Sequence, residues 1–300
     1  MKCAAVLFVN GQSNAHAHEQ FLKEVDRITI PMKNVFSLDR DPNQSFEIQD
    51  VVWSGYTTQG KNLGETQDHT CSFAYCVAKL WQKAIDDGAT LPDLYIVQIS
   101  VGSQGIINGM WNPDKEKILK PGPLGTVDIS LFTLALQIDR LAMENLKRNG
   151  MEPVVIGRHW IGSEQDIRVR AYARDDLHDR YDYFFDAILS SPGKSCPLYL
   201  YKLYTKKVGV KNGIPECATD AINEALFRQC ERHRDVTVIE AENCPLWNPE
   251  DEHDGIFAQD GAHYRAEVQR WFAETFFEKV NRTFTWKEGK IRYSFQKEIE

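Results

Sequence analysis

The sequence predicts an α/β fold, a three-layer α/β/α sandwich around a doubly wound, mostly parallel sheet. Short apolar runs typical of strands alternate with helical patterns along the chain, and this alternation favours a parallel sheet with helices on both faces. The chain has 300 residues, of which 42% are hydrophobic, enough for one large domain with a buried core. In such a sheet, catalytic groups gather at the carboxyl ends of the strands.

Strands and helices are predicted in regular succession. Apolar runs predict strands at 4–9, 94–100, 154–159, 198–203 and 236–239. Apolar residues at helical spacing predict helices at 72–84, 131–148, 167–188, 218–232 and 267–280. Two alternating segments, 283–286 and 291–295, flank the turn-like residues 287–290 and predict a C-terminal β-hairpin. We therefore expect a main domain over residues 1–280, with a hairpin and tail at residues 281–300 packed on it.

Two long polar loops lie between the first predicted elements. The first covers residues 39–68, and the second, residues 102–125, directly follows the second strand. Either loop could form a wall of a substrate site or remain an irregular surface loop. Trp111 in the second loop has two interpretations, stacking on a sugar or packing the loop against the body of the protein.

Two short motifs at opposite ends of the chain indicate its chemistry. Gly11-Gln12-Ser13-Asn14 follows the first strand, and Asp260-Gly261-Ala262-His263 precedes the last helix. A strand that ends in glycine and opens into a helix exposes the serine near helix N-terminal amides, which can stabilise an oxyanion. A serine hydroxyl needs a base, and the aspartate and histidine of the second motif can supply base and orienter from one segment. Each motif alone would fit a helix cap, but their pairing predicts a serine hydrolase.

These motifs resemble those of the SGNH hydrolases, and within them the sialate O-acetylesterase-like group that includes carbohydrate esterase family 6. That group carries G-Q-S-N near its start and D-G-x-H near its end. Residues 97–106, followed by Trp111, resemble its strand and glycine-rich loop, and residues 154–166 resemble its strand ending in W-x-Q-G-E-x-D. The resemblance runs from about residue 3 to about residue 277 in four short segments, and it implies a flavodoxin-like parallel sandwich.

The resemblance also implies an activity and a set of roles. The chain would be a metal-independent carboxylic ester hydrolase that removes O-acetyl groups from a carbohydrate through an acyl-enzyme, without a cofactor. Ser13 would be the nucleophile, His263 the general base and Asp260 its orienter. The backbone amides of Ser13 and Gly102 would form the oxyanion hole. Substrate contacts would come from the side chains of Gln12, Asn14, Trp111, Arg158 and Glu164.

The sequence departs from the family's pattern at one functional position. Trp160, Glu164 and Asp166 are in register with W-x-Q-G-E-x-D, but Gly162 replaces the glutamine and Ser163 the following glycine. In the family that glutamine gives a side-chain donor to the oxyanion hole, and loss of one such donor typically costs about a hundredfold to a thousandfold in rate. Its replacement is open between a backbone amide and the side chains of Gln165, Ser163, Arg158 and His159. For Asp166 we favour a role in anchoring its loop through backbone hydrogen bonds.

Two further interpretations are open. His16-Ala17-His18 is similar to the H-x-H of metal-dependent amidohydrolases, and His159 and Asp260 could complete a zinc site. Against it, that H-x-H sits on the strand end itself, whereas here residues 11–15 intervene and match another motif. The missing glutamine motivates the other interpretation, a degenerate esterase fold kept as a carbohydrate-binding domain. The intact nucleophile, base and orienter argue against it.

Charge and composition limit the partners and the compartment. The net charge of −8 argues against nucleic acid or an anionic membrane as a partner, and the basic stretch 206–211 suits a solvated loop. The apolar runs are too short for a membrane span, and the first run lacks the features of a secretion signal, so we expect a cytoplasmic protein. Seven cysteines at irregular spacings do not suggest a disulfide framework. Cys71 and Cys76 lie five residues apart at the start of the helix predicted from about residue 72, a spacing that would point them to different faces of a helix.

Overall fold

The structure is a computed structural model of the chain. It describes residues 2–39, 50–59, 63–64, 69–114, 119–122, 125–128, 130–193, 196–204, 214–215, 217–287 and 290–293. The basic stretch 206–211 and most of the polar loop 39–68 lie outside the described residues. So do parts of the second loop, 115–118 and 123–124, and parts of the predicted hairpin, 288–289 and 294–295.

The predicted parallel strands are present, most of them close to their expected bounds. The strands are β1 (Lys2–Gly11), β2 (Val35–Leu38), β3 (Trp53–Gly55), β4 (Leu63–Gly64), β5 (Asp93–Ser100), β6 (Leu119–Gly122), β7 (Gly125–Asp128), β8 (Met151–Ile161), β9 (Leu198–Tyr201), β10 (Val236–Ile239), β11 (Phe284–Lys287) and β12 (Lys290–Tyr293). The α-helices are α1 (Phe73–Asp86), α2 (Leu131–Arg148), α3 (Glu164–Arg168), α4 (Leu177–Ser190), α5 (Ala218–Arg232) and α6 (Ala266–Thr283).

The central sheet has β1 in its middle. Its strand order is β10-β9-β8-β1-β5-β2-β3, and the short β4 pairs with the end of β5. Every pair is parallel except β2 with β3. Gly11 at the end of β1 aligns with Ser100 of β5 and with Ile161 of β8. The segments that follow β1, β5 and β8 therefore leave the sheet at the same edge. The direction of winding reverses at β1, which has β5 on one side and β8 on the other.

The two faces of the sheet carry separate cores. Alternate residues of β1 divide between them, because successive side chains of a strand point to opposite faces. Val6 and Phe8 pack into the core beneath α2, α4 and α5, while Leu7 and Val9 pack into the core beneath α1 and α6. All four side chains are fully buried. Burial of each such side chain contributes about 1.5–3 kcal/mol, so both helical layers are held to the sheet by the same strand. The predicted three-layer sandwich is confirmed.

The helix predicted at 167–188 is wrong as a single element. The structure has the short α3, a 3-10 turn at Ala171–Ala173, and then α4. Arg170 has a φ of 56°, a left-handed conformation that no helix continues through. The Arg174 guanidinium then bonds the Asp176 carboxylate across the start of α4. Apolar spacing persists across this break because both helices face the same core, so periodicity alone did not reveal it.

Several short strands were not predicted. β2 and β3 form an antiparallel pair at the edge of the sheet, and β6 pairs with β7 in a separate hairpin within the second polar loop. These strands are two to four residues long. A run of that length carries little periodicity, and its conformation is decided by the strand against which it pairs.

The C-terminal hairpin is confirmed. β11 and β12 pair in antiparallel register, with Phe284 opposite Tyr293 and Lys287 opposite Lys290. The Trp286 ring meets Trp81 of α1 edge-on, with 6.4 Å between ring centroids, so β11 lies against the body of the protein. In the part of the chain that the structure describes, no helix is long and apolar enough to cross a membrane.

Candidate active site

Ser13 leaves the sheet between the ends of β5 and β8, directly after a glycine that the geometry requires. Gly11 has a φ of 148°, and a Cβ atom built there would lie 2.1 Å from the Ile161 carbonyl oxygen. The neighbouring Gln12 N–H donates to that same oxygen at 3.1 Å. Only glycine allows this close approach of β1 to β8, which fixes the direction in which the following residues leave the strand.

The helix expected after Ser13 is not formed. Residues 12–19 make successive turns, in which the Ala15 N–H donates to the Gln12 carbonyl at 2.8 Å and the His18 N–H to the Ser13 carbonyl at 3.0 Å. Ala17 and Glu19 have φ values of 54° and 59°, which no α-helix accommodates. The site therefore has no helix N-terminus behind the serine, and any oxyanion must be held by individual donors.

Asp260 and His263 form one compact unit in the turn before α6. The Asp260 Oδ2 atom lies 2.5 Å from Nδ1 of His263, and its Oδ1 accepts the N–H groups of Ala262 and His263 at 2.8 and 3.0 Å. Partial burial by itself would raise the pKa of Asp260, but these hydrogen bonds hold it below its ordinary value. The His263 side chain is 17% exposed, and its Nδ1 is taken by Asp260.

Asn14 joins the serine turn to the histidine turn. Its Oδ1 accepts the Tyr264 N–H at 2.9 Å, while its Nδ2 donates to the Ala262 carbonyl at 3.3 Å and to Glu164 Oε1 at 2.5 Å. We call this set of bonds the Asn14 clip. Because it holds both chain neighbours of His263, it ties the residue after Ser13 to the segment that carries His263. Asn14 is 1% exposed and fully engaged, so the expectation that it binds substrate is corrected to a positioning role.

A histidine that the sequence suggested only as a metal ligand also touches the base. The His18 ring lies on the His263 ring with 4.8 Å between centroids and 51° between planes. His18 is partly exposed and its Nε2 is 3.5 Å from Glu19 Oε1. The turns at residues 12–19 set the position of His18 relative to Ser13. A regular helix would place His18 differently. The contact restricts how far the base can rotate.

The loop after β5 is anchored by a buried carboxylate. Asp166 accepts the N–H groups of Ile106 and Ile107 at 3.1 and 3.0 Å and the Tyr181 hydroxyl at 2.8 Å. Gly105 makes room for it, since a Cβ atom there would lie 2.2 Å from Asp166 Oδ1. Asp166 thus has the loop-anchoring role that the sequence favoured, and it fixes the segment that carries Gly102.

Asp166 is expected to make stability fall as pH rises through the weakly acidic range. Burial, acting against its hydrogen bonds, raises the pKa of Asp166 to about 6 from an ordinary 3.8. The folded state therefore favours the protonated form, whose stabilisation is complete below about pH 4 and is lost as pH rises through about 6. Relative to Asp166→Asn, the wild-type free energy of unfolding should fall by about 3 kcal/mol between about pH 4 and about pH 7. Urea unfolding at each pH measures this, and a difference that stays constant with pH would contradict it.

Two of the residues expected to bind substrate do not reach the cleft. Trp111 and Arg158 are both 0% exposed. The Trp111 Nε1 atom donates to the Gly11 carbonyl at 3.0 Å, so its ring packs the second loop against the sheet. Arg158 bonds Asp139 Oδ2 and Asn10 Oδ1, both at 2.5 Å, in the core beneath α2 and α4. Their positions near strand ends suggested the site, but their side chains point into the core.

Burial also excludes several candidates for the missing donor of the oxyanion hole. The Arg158 guanidinium is bonded to Asp139. The buried His159 ring stacks on Tyr199, and its Nδ1 atom lies 2.8 Å from the Tyr201 hydroxyl. Ser163 is 0% exposed, and its hydroxyl accepts from Trp160 at 2.9 Å and is hydrogen-bonded to Tyr181. Two glutamines and the backbone amides remain. Gln165 is partly exposed on α3, and Gln12 has a buried Oε1 that lacks a hydrogen-bond partner.

Gln12 also lies beside the position at which the family's glutamine is missing. A Cβ atom built at Gly162 would lie 3.6 Å from Gln12 Cγ and 3.2 Å from the Trp160 ring. The remaining predicted contact, Glu164, is half-buried with one oxygen on Asn14 and the other without a partner. Glu164 therefore contacts the turn after Ser13 from the first residue of α3.

The side chains suggested for a zinc site do not converge. His159 lies in the core between Phe73 and Tyr199, whereas Asp260 is paired with His263 at the rim of the site. His16 Nδ1 lies 3.2 Å from the Ser100 hydroxyl. Within the described ranges, no three His, Cys, Asp or Glu side chains are grouped as metal ligands. The suggested ligands are therefore not gathered at one point of the described residues.

Comparison with known proteins identifies the fold. No protein-family model and no curated protein matches the sequence. The crystal structure of NanS is similar at a TM-score of 0.63 and 17% identity, over 94% of this chain and 97% of that chain. An X-ray structure of a protein from Arabidopsis thaliana is similar at a TM-score of 0.58 and 12% identity, over 94% and 99%. The α/β sandwich of the chain is the fold of these two proteins over nearly their full length.

Proposed function

We propose that the chain is a serine-dependent carboxylic ester hydrolase. The Asp260–His263 pair, whose turn is bonded by the Asn14 clip to the residue after Ser13, is the observation that carries this proposal. A carboxylate on Nδ1 fixes the imidazole tautomer that has a lone pair on Nε2, which is the form that can accept a serine proton. The fold presents both segments at the carboxyl edge of the sheet, where α/β enzymes place their chemistry.

In the first half-reaction, Ser13 Oγ attacks the ester carbonyl carbon as its proton passes to His263 Nε2. The carbonyl π electrons move to oxygen, and the backbone N–H groups of Ser13 and Gly102 stabilise that oxyanion. Collapse of the tetrahedral intermediate breaks the ester C–O bond, and His263 returns the proton to the leaving alcohol. Asp260 stabilises the transient imidazolium without itself taking the proton.

In the second half-reaction, His263 takes a proton from water as the water oxygen attacks the acyl carbon. The second tetrahedral intermediate then releases the Ser13 oxygen, which recovers its proton from His263. The products are a carboxylic acid and an alcohol. The resemblance to the sialate O-acetylesterase-like group favours an acetyl group as the acyl part and a carbohydrate as the alcohol.

Acetate release from 4-nitrophenyl acetate and from a panel of acetylated glycans tests the proposal. We expect release that a metal chelator leaves unchanged, together with covalent labelling of Ser13 by an alkyl fluorophosphonate, identified by peptide mass spectrometry. Labelling depends on the activated serine, so it does not require the natural substrate. Activity that the chelator removes, or a phosphonate bound elsewhere, would overturn the serine mechanism. Glycan binding without hydrolysis or labelling would support a degenerate binding domain instead.

A further inference from the structure

Two thiols lie side by side behind the candidate active site. The sulfurs of Cys71 and Cys76 are 3.6 Å apart, and both residues are buried and unbridged. The expectation that they point to different faces of one helix is wrong, because α1 begins only at Phe73. Cys71 precedes the Ser72 N-cap in an extended segment, from which its side chain folds over the first turn of the helix.

The two thiols differ in character. The two sulfurs share a hydrogen bond in which either can be the donor, and this bond is the main reason why the pKa of Cys71 is lowered. The Arg270 guanidinium on α6 acts in the same direction. The same bond, together with burial, raises the pKa of Cys76. Cys71 is thus the thiol suited to attack first, and Cys76 is the thiol suited to react second, as in reactive dithiols.

The pair also contacts both halves of the candidate site. The Cys71 N–H donates to the Gln20 carbonyl at 2.8 Å, at the end of the serine turn. The Cys71 sulfur lies 3.8 Å from the carbonyl of Ala266, the first residue of α6 and three positions after His263. A displacement of this sulfur therefore alters the support of the segment that presents the base.

We propose that Cys71 and Cys76 are a redox modification site, at which hydrogen peroxide or a similar small peroxide forms an intramolecular disulfide. The Cys71 thiolate attacks one peroxide oxygen and breaks the O–O bond, giving a sulfenic acid and, after protonation of the leaving hydroxide, water. The Cys76 sulfur then displaces the sulfenic hydroxyl, which leaves as a second water. Two thiols lose two protons and two electrons, and one peroxide becomes two waters. The sulfurs must approach from 3.6 Å to about 2 Å.

The disulfide should slow ester hydrolysis, an expectation that rests on the proposed function. Closure pulls the Cys71 sulfur from the Ala266 carbonyl and shifts the start of α6. Because small displacements of a catalytic group are costly, we expect ester hydrolysis to slow by roughly threefold to tenfold, reversibly.

Peptide mass spectrometry tests the modification independently of activity. The exposed Cys217 and Cys230 are first replaced by serine, so that cross-links between molecules do not compete. The protein is treated with hydrogen peroxide, alkylated and digested with trypsin. The tryptic peptide 62–79 contains Cys71 and Cys76 and no other cysteine. We expect it to lose two hydrogens and to resist alkylation until dithiothreitol is added. A peptide that remains fully alkylated, or that gains oxygen on either sulfur without cross-linking, would refute the proposal.

Cys76→Ser is the matched variant, because its hydroxyl can still donate to the Cys71 sulfur. We expect it to fold with an unchanged circular dichroism spectrum, to form no cross-link and to show no dithiothreitol-reversible loss of 4-nitrophenyl acetate hydrolysis. A disulfide that leaves the rate unchanged would overturn the coupling to the site. Absence of hydrolysis before oxidation would overturn the proposed function and leave the mass result standing.

Discussion

Replacement of Ser13 by alanine is expected to lower kcat for 4-nitrophenyl acetate by about ten-thousandfold or more, with little change in KM. The substitution removes one hydroxyl, and the turn keeps its backbone hydrogen bonds and the Asn14 clip. Without the hydroxyl no acyl-enzyme can form, and only slow attack by water remains. Steady-state kinetics at matched protein concentration, with circular dichroism as a check on folding, measure the effect. Activity retained within tenfold would place the nucleophile elsewhere.

Asp260→Asn should cause a loss of similar size for a different reason. The Oδ1 position can still accept the N–H groups of Ala262 and His263, so the turn is kept. The new amide N–H₂ would face His263 Nδ1, which forces the proton onto Nε2 and leaves no lone pair for Ser13. Asp251→Asn is the matched control, since Asp251 Oδ1 accepts the N–H groups of His253 and Gly255 in a similar turn. That control should keep its activity.

Asn14→Ala is expected to lower kcat by about a hundredfold while KM changes much less. The substitution breaks the Asn14 clip and leaves the Tyr264 N–H and Glu164 Oε1 without a partner, at a cost of about 1–3 kcal/mol for each buried group. The base can then drift from Ser13, and a small misplacement is enough for a loss of this size. Glu164→Gln should be mild, because its amide oxygen can still accept from Asn14 Nδ2.

Asn223 offers a control of matched structure for Asn14. It is a buried asparagine whose side chain bonds the N–H and carbonyl of Leu203, both at 2.8 Å, just after the end of β9. Asn223→Ala should lower the melting temperature by about as much as Asn14→Ala while kcat stays near the wild-type value. Equal losses of kcat in both variants would mean that Asn14 acts only through general stability.

The sequence carried enough information for the central sheet and for the two catalytic motifs. β1, β5, β8 and β9 are apolar runs buried by tertiary packing, and their composition reflects that burial. Asp260 and His263 are three residues apart, so their pairing depends on one local turn. Burial between the helical layers determines the composition of the strands, and a local sequence pattern determines the Asp260–His263 turn.

Other features depend on contacts between segments remote in sequence. Trp111 follows β5 and Arg158 lies near the end of β8, as site residues would, but nothing local shows that their side chains turn toward Gly11 and Asp139. The contact of Cys71 with Cys76 depends on where α1 begins. The turns after Ser13 depend on left-handed residues, Ala17 and Glu19, that are not glycine and therefore give no compositional signal.

The Asn14 clip has a consequence for the order in which the chain gains its chemistry. It connects a residue near the amino terminus to Glu164 and then to Ala262 and Tyr264, which are the last parts of the site to be synthesised. Until that final portion docks, Ser13 can sit in a nearly complete sheet and still be an ordinary alcohol. Contacts so distant in sequence are also slow to form, because a long loop must close first. On the proposed mechanism, reactivity therefore arises late in folding, and a chain interrupted before Asp260 would lack both the base and its orienter.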